Sequence, residues 1–156
     1  MANSHKPGQE VDNYWSASTA ADHREEFQPI QWLWPGHIPR GSVTALIAVP
    51  GSSKSTLAHQ LCHTLLTGGT WPDGQPCEAL PRGEKLLWID TNNELPAFHE
   101  RLRCWNTPSD NIIQPYHPDR KFNLHDWDAF AWLSNAIEEF KPPLIVIDQL
   151  SLVKRA

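Results

Sequence analysis

Lys54 and Ser55 close a short turn of small residues, Ala48-Val49-Pro50-Gly51-Ser52-Ser53, and Thr56 follows them. An apolar, β-branched run precedes the turn (SVTALIA, 42–48), and leucines at helical spacing (Leu57, Leu61, Leu65) follow it. Where a strand gives way to a helix, backbone N–H groups lack partners and the helix dipole is positive, so an anion is favoured. A lysine there adds a point charge for phosphate oxygens, and a serine hydroxyl can hold Mg2+. Against the pattern G-x-x-x-x-G-K-[ST], Lys54 and Ser55 fit, while Ala48 and Ser53 replace both outer glycines. Pro50 and Gly51 keep the bend. Serine at position 53 is strained if the loop needs a positive φ there. The bland alternative is a serine-rich turn with an exposed lysine.

About 90 residues after Lys54 comes Leu144-Ile145-Val146-Ile147-Asp148, four apolar residues ending in an acid. At the C-terminal edge of a buried strand, Asp148 can hold magnesium through water beside Ser55. Many buried strands end in aspartate only to cap a helix, so the alternating chain around it gives the motif its weight. A third polar group follows LLWID (86–90): Thr91, Asn92, Asn93 and Glu94. Asparagine can orient a water but cannot take its proton, whereas Glu94 or Asp90 can. The bland reading of this stretch is a polar turn capping the helix at Leu95. His59 and His63 lie i, i+4, but no third ligand has fitting spacing, and they read as helix-surface histidines. Trp32, Trp34, Trp71 and Trp105 could stack on a base; most read as core or edge packing. Cys62 reads as an inert small hydrophobe.

These residues need a scaffold, and the apolar periodicity supplies one. Strands are expected at Ser42–Ala48, Leu86–Asp90, Asn111–Gln114 and Leu144–Asp148. Helices are expected at Ser55–Leu66, ending at Gly68-Gly69, at Leu95–Trp105, and at Asn123–Phe140. In the last of these Asn123 is the expected N-cap, with Leu124, Trp127, Phe130, Ile137 and Phe140 inward. Residues 70–83 read as a Pro- and Gly-rich loop, and order is expected to begin at Phe27–Trp34, before the Pro35-Gly36 turn. Strands apolar on both faces and separated by helices imply a parallel sheet covered on both sides.

Composition narrows the classes. The 156 residues fit one domain, and 18 acids against 13 bases give a net charge of −5, unlike a protein that coats nucleic acid or anionic membrane. No apolar run approaches the ~20 residues of a membrane helix and the start lacks a signal segment, so a cytoplasmic location is expected. Three separated cysteines offer no C-x-x-C pair. Residues 1–28 are acidic and lack apolar period, which suggests a disordered tail before a domain at 29–156.

Together the motifs resemble the RecA-like P-loop ATPases, and most closely the RepA-type branch of hexameric replicative helicases, within the AAA family of ATPases. The resemblance runs from Trp32 to about Leu150, through WLWPGHIPRGSVTALIAVPGSSKSTLAHQLC, GGTWPDG, EKLLWID and LIVIDQLS. It implies a RecA-like P-loop core, truncated after the Walker B strand, since the later strands, arginine finger and DNA-binding loops have no counterpart. It implies ATP and Mg2+ as cofactors, with DNA and a homo-hexamer as partners of a complete protein. Pro50, Gly51, Ser52, Ser53, Lys54, Ser55 and Thr56 would then cradle phosphate, and Ser55 and Asp148 would hold the metal. Asn92 and Asn93 stand where this family carries a Glu-Asp pair, so Asn92 or Glu94 would position water and hydrolysis would be weak. The alternatives are a non-hydrolysing or vestigial interaction module and a small P-loop phosphotransferase. Against the latter, arginines between Pro81 and Arg120 stand apart, with no arginine-rich lid.

Overall fold

Leu86, Leu87, Trp88 and Ile89 are at most 2% exposed, because a strand that is apolar at every position must be covered on both faces. The structure is a computed structural model that describes residues 18–23, 28–92 and 94–148. Expectations for 1–17, 24–27, Asn93 and 149–156, most of the acidic tail among them, lie outside the described residues. The chain divides into unit 1, Met1–Ile30, and unit 2, Gln31–Ala156. In the first, Asp22 accepts from the backbone N–H and hydroxyl of Thr19 across a turn, and these bonds hold its carboxyl below the ordinary range.

Unit 2 opens with a hairpin, β1 (Trp32–Trp34) and β2 (Ile38–Pro39), folded about Pro35–His37. Helix α1 spans Lys54–Thr67 and ends at Gly68, whose N–H donates to Thr64. The segment expected as a loop carries a small antiparallel rung, β3 (Gly69–Thr70) with β4 (Pro76–Cys77). There Asp73 accepts from Gln75 N–H and turns the chain. Trp71 stacks on Trp34 at 5.3 Å, and Trp34 Nε1 donates to Asp73 at 3.0 Å, so these two tryptophans are packing residues.

The sheet follows: β5 (Leu86–Asp90), α2 (Leu95–Trp105), β6 (Ile112–Ile113), α3 (Trp127–Phe140) and β7 (Ile145–Asp148). The three strands are parallel in the order β6-β5-β7. Side chains alternate between faces along a strand. Leu86 and Trp88 therefore pack with Cys62 of α1 and with Phe98 and Leu102 of α2, while Leu87 and Ile89 pack with Leu133 and Ala136 of α3. Helices thus cover both faces, as the apolar strands require. No helix among the described residues is long and apolar enough to cross a membrane.

Two expectations are corrected. The run 42–48 is not a strand: residues 43–49 are irregular and exposed, Val43 at 97% and Ile47 at 88%. β-propensity alone does not make a strand, which needs a neighbour for its N–H and C=O groups. None of the described strands pairs with this run, although β7 is paired only with β5. Helix α3 starts four residues later than expected. Asn123 is spent on the preceding turn, where its side chain accepts from His125 N–H, and Asp126 caps α3 by accepting from Asp128 N–H. The buried stripe is accordingly Leu133 and Ala136, while Trp127, Phe130 and Ile137 face outward.

Leu87→Ala should lower stability by about 2–5 kcal/mol through the cavity it leaves, whereas Val43→Ala should stay within about 0.5 kcal/mol. Urea unfolding of the two variants measures both. Equal losses would place 43–49 in a packed sheet after all.

Candidate nucleotide-binding site

Helix α1 begins at Lys54 directly after Ser53, which sits in the left-handed region at φ 63° and ψ 27°. Serine therefore carries the strain that glycine would avoid at this place. Its side chain caps nothing, and no acid lies in the first turn, so the positive end of the helix is uncompensated. Gly51, at φ 78°, makes the preceding bend, and a Cβ added there would meet open space. Conformation rather than close approach is what calls for glycine. Lys54 Nζ donates to the carbonyls of Ala48 and Val49, both at 2.9 Å, so the ammonium folds back over its own loop.

Packing sets which end of the sheet this turn occupies. His59, one turn into α1, lies 4.3 Å from Trp88, and Leu65 shares a cluster with Leu144 at the foot of β7. Helix α1 thus runs against the strands, and its N-terminus lies at their C-terminal end. There the β5–β7 register pairs Asp90 with Asp148. Partners in a parallel ladder share a face, and Trp88, two residues before Asp90, faces α1. By alternation Asp90 and Asp148 fall on the α1 face of the sheet, towards the end where Lys54 and Ser55 begin that helix. Asp90 Oδ1 accepts from Asn92 N–H at 2.9 Å, and the Asn92 carbonyl accepts from Lys121 Nζ at 3.5 Å. Asn92 and Glu94 are exposed, and Glu94 precedes α2 without a side-chain cap. Asn93 lies outside the described residues.

The donor set suits a magnesium–phosphate ligand. Mg2+ is commonly held by one or two carboxylates together with substrate phosphates instead of an all-protein cage. Consistently, no group of three or more His, Cys, Asp or Glu among the described residues could hold a metal by itself. The groups at this turn with the chemistry to donate to a phosphate are the N–H groups of the first turn of α1 and the Lys54 ammonium, which here donates to its own loop carbonyls.

A family model for the AAA domain matches residues 11–156. The chain belongs to the AAA-domain family. No curated protein and no solved structure matches it. Membership makes the chain a nucleotide-binding, ATPase-like domain, in keeping with the strand ends and helix terminus just described.

His59 corrects another expectation. It is not on the helix surface but 3% exposed, held between Trp88 and Phe98, and its Nε2 has no hydrogen-bond partner among the described residues. Burial, with the charge of Arg101 adding to it, pushes its pKa down to about 4. The spacing His59, Cys62, Leu66 already puts the imidazole on the core stripe of α1, a signal that polarity hid. His63 instead pairs through Nδ1 with the Thr107 hydroxyl at 2.9 Å. Cys62 is 1% exposed, and burial raises its thiol to about 12, as expected for an inert hydrophobe.

Two outcomes follow for the AAA domain. Ser53→Gly should raise stability by up to about 1 kcal/mol and the melting temperature by a few degrees, because glycine occupies the left-handed region without strain. A lower melting temperature would mean that the serine side chain has a role of its own. For His59, the unfolded chain takes up a proton near pH 6.5 that the folded chain refuses until about 4. Stability is therefore full above pH 6.5 and falls as pH drops from 6.5 towards 4, on the order of 3 kcal/mol over the window. His59→Leu should flatten that slope in pH-dependent unfolding.

Proposed function

We propose that the chain binds Mg-ATP at the turn of residues 50–56, and that it is an ATPase of the RecA-like, RepA-type helicase branch serving DNA replication or recombination. The single observation that carries the binding reading is the uncapped N-terminus of α1, with Lys54 in its first turn, set beside the C-terminal ends of β5 and β7. On this reading the N–H groups from Gly51 to Ser55 bind the phosphates, and Lys54 leaves its loop carbonyls for the β- and γ-phosphates. Ser55 and Asp148 hold Mg2+, which supplies charge neutralisation on the transferred phosphoryl group. DNA and five further copies of the chain would be the partners in a complete cytoplasmic motor, a reading supported by the order of the sequence motifs.

Hydrolysis is slow in this proposal. Asn92 and Glu94 are the groups that would position the attacking water, and an asparagine amide cannot accept its proton. Asp90 is already engaged with Asn92 N–H. A second reading, a nucleotide-binding module that docks on a partner without turnover, draws on the exposed, unpaired run 43–49.

Titration with a fluorescent ATP analogue separates these claims. Lys54→Ala should weaken binding tenfold or more, the worth of a charge-assisted hydrogen bond to phosphate. Equal binding by the variant and the parent would overturn the ATP site. Asn92→Glu should raise kcat without tightening ATP, because a general base acts on the transition state alone. An unaltered chain that turns over like an ordinary motor would remove Asn92 from the base position.

A further inference from the structure

Helix α3 is apolar on two sides, and the sheet covers only one of them. Leu133 and Ala136 are buried with Leu87 and Ile89, on the face of the sheet away from α1. On the outer side Trp127 is 77% exposed, Phe130 50% and Ile137 38%. A large apolar residue exposed on its own is ordinary, because more than half of a folded surface is apolar. These three do not stand alone. Trp127, Phe130, Ser134 and Ile137 follow one another at intervals of three, four and three residues, which makes one stripe about 15 Å long. The rings of Trp127 and Phe130 lie 6.3 Å apart. Ser134 donates its hydroxyl to the Phe130 carbonyl at 3.1 Å, which leaves a small position between Phe130 and Ile137.

Intervals of three and four residues form the seam by which one helix receives another, its large side chains acting as knobs and its gaps as holes. A continuous apolar stripe with a polar rim marks a surface for another macromolecule. Charge selects which one. Residues 126–141 hold four acids, Asp126, Asp128, Glu138 and Glu139, against one base, Lys141, which caps the end of α3. Arg120 pairs with Asp126 and Asp128, but Glu138 and Glu139 have no ion-pair partner among the described residues. Glu138, one turn beyond Ser134, borders the stripe and is exposed. A second copy laid antiparallel on the seam would set Asp128 against Glu138 and Glu139, and a parallel copy would set Glu138 against Glu138. Like charges across an interface reject a partner. An anionic lipid surface is disfavoured for the same reason.

We propose that this outer seam of α3 is the docking surface for a basic amphipathic helix of another protein, with apolar side chains at the same spacing and Lys or Arg beside them. Such a helix lays its apolar face on Trp127, Phe130 and Ile137, seats a large side chain over Ser134, and turns its cations towards Glu138 and Glu139. The rings supply the affinity. Truncating an aromatic anchor at the centre of an interface costs about thirtyfold, whereas an exposed ion pair changes affinity by about fivefold at most. Charge therefore sets the choice of partner more than the strength of binding. The seam is separate from the proposed ATP site, because α3 and α1 lie on opposite faces of the sheet.

Fluorescence anisotropy of a labelled peptide of about three heptads, with leucine at the seam positions and lysine beside them, tests it when the whole chain is titrated in. The lysines keep the peptide from pairing with itself. It should bind saturably in the micromolar range, and more weakly as salt rises. Trp127→Ala and Phe130→Ala should each weaken binding tenfold or more at an unchanged melting temperature, since both side chains are exposed. Glu138→Lys should weaken the lysine peptide and tighten a glutamate peptide of the same apolar pattern. Equal binding by the two alanine variants, or by a lysine peptide with its leucines shuffled out of register, would overturn the proposal, because charge alone would then carry the contact. No saturable response into the high micromolar range would overturn it as well. So would a dimer of the chain alone in sedimentation that Trp127→Ala dissolves, which would give the seam to a second copy. Binding to vesicles of anionic phospholipid that Trp127→Ala abolishes would give it to a membrane and equally overturn the proposal.

Discussion

A slip of one residue between β5 and β7 would turn Asp148 to the opposite face of the sheet from α1. The side-chain period of a strand is two, so register decides which face every residue serves. The observed pairing runs from Leu87 with Ile145 to Asp90 with Asp148, and it sets two carboxylates side by side. What pins it is burial on both faces. Leu87 and Ile89 pack against Leu133 and Ala136, while Leu86 and Trp88 pack against Phe98 and Leu102. A slip would exchange these sets and expose charged ends to the core. The register thus links packing to chemistry: the contacts that hold the sheet also bring Asp90 and Asp148 to the end where α1 begins.

Helix α1 is the other half of that arrangement, and its docking relies on an unusual residue. His59 lies against Trp88 and Phe98 as a neutral ring, with one nitrogen unpartnered among the described residues. An aliphatic side chain would fill the space without a polar cost. The histidine fixes α1 over the middle of β5, which leaves Lys54 and Ser55 one turn further out at the strand ends. Protonation would place a charge inside the aromatic cluster, which is why folding holds the ring neutral down to about pH 4.

Much of this was legible in the chain. LLWID announced a strand covered on both faces, and helices α1 and α2 followed their leucine and phenylalanine spacing. The Lys54-Ser55 pair fell at a helix N-terminus, as the turn chemistry required. Other parts were not legible, for physical reasons. SVTALIA has strand composition, but pairing is a property of a neighbour and not of the segment. Asn123 and Asp126 are both competent caps, and the choice between them depended on which one the preceding turn consumed. Trp127, Phe130 and Ile137 are spaced like an inward stripe, and periodicity alone does not say which of two apolar faces of α3 meets the sheet.

The central claim is that the first turn of α1 and the ends of β5 and β7 form one nucleotide site. Hydrogen exchange with and without Mg-ATP, read peptide by peptide, tests it most directly. The account predicts slowed exchange in residues 49–57, where free N–H groups gain phosphate partners, with little change in the already buried Leu86–Ile89 strand. Unchanged exchange in 49–57 at saturating nucleotide, or protection confined to another part of the chain, would contradict it.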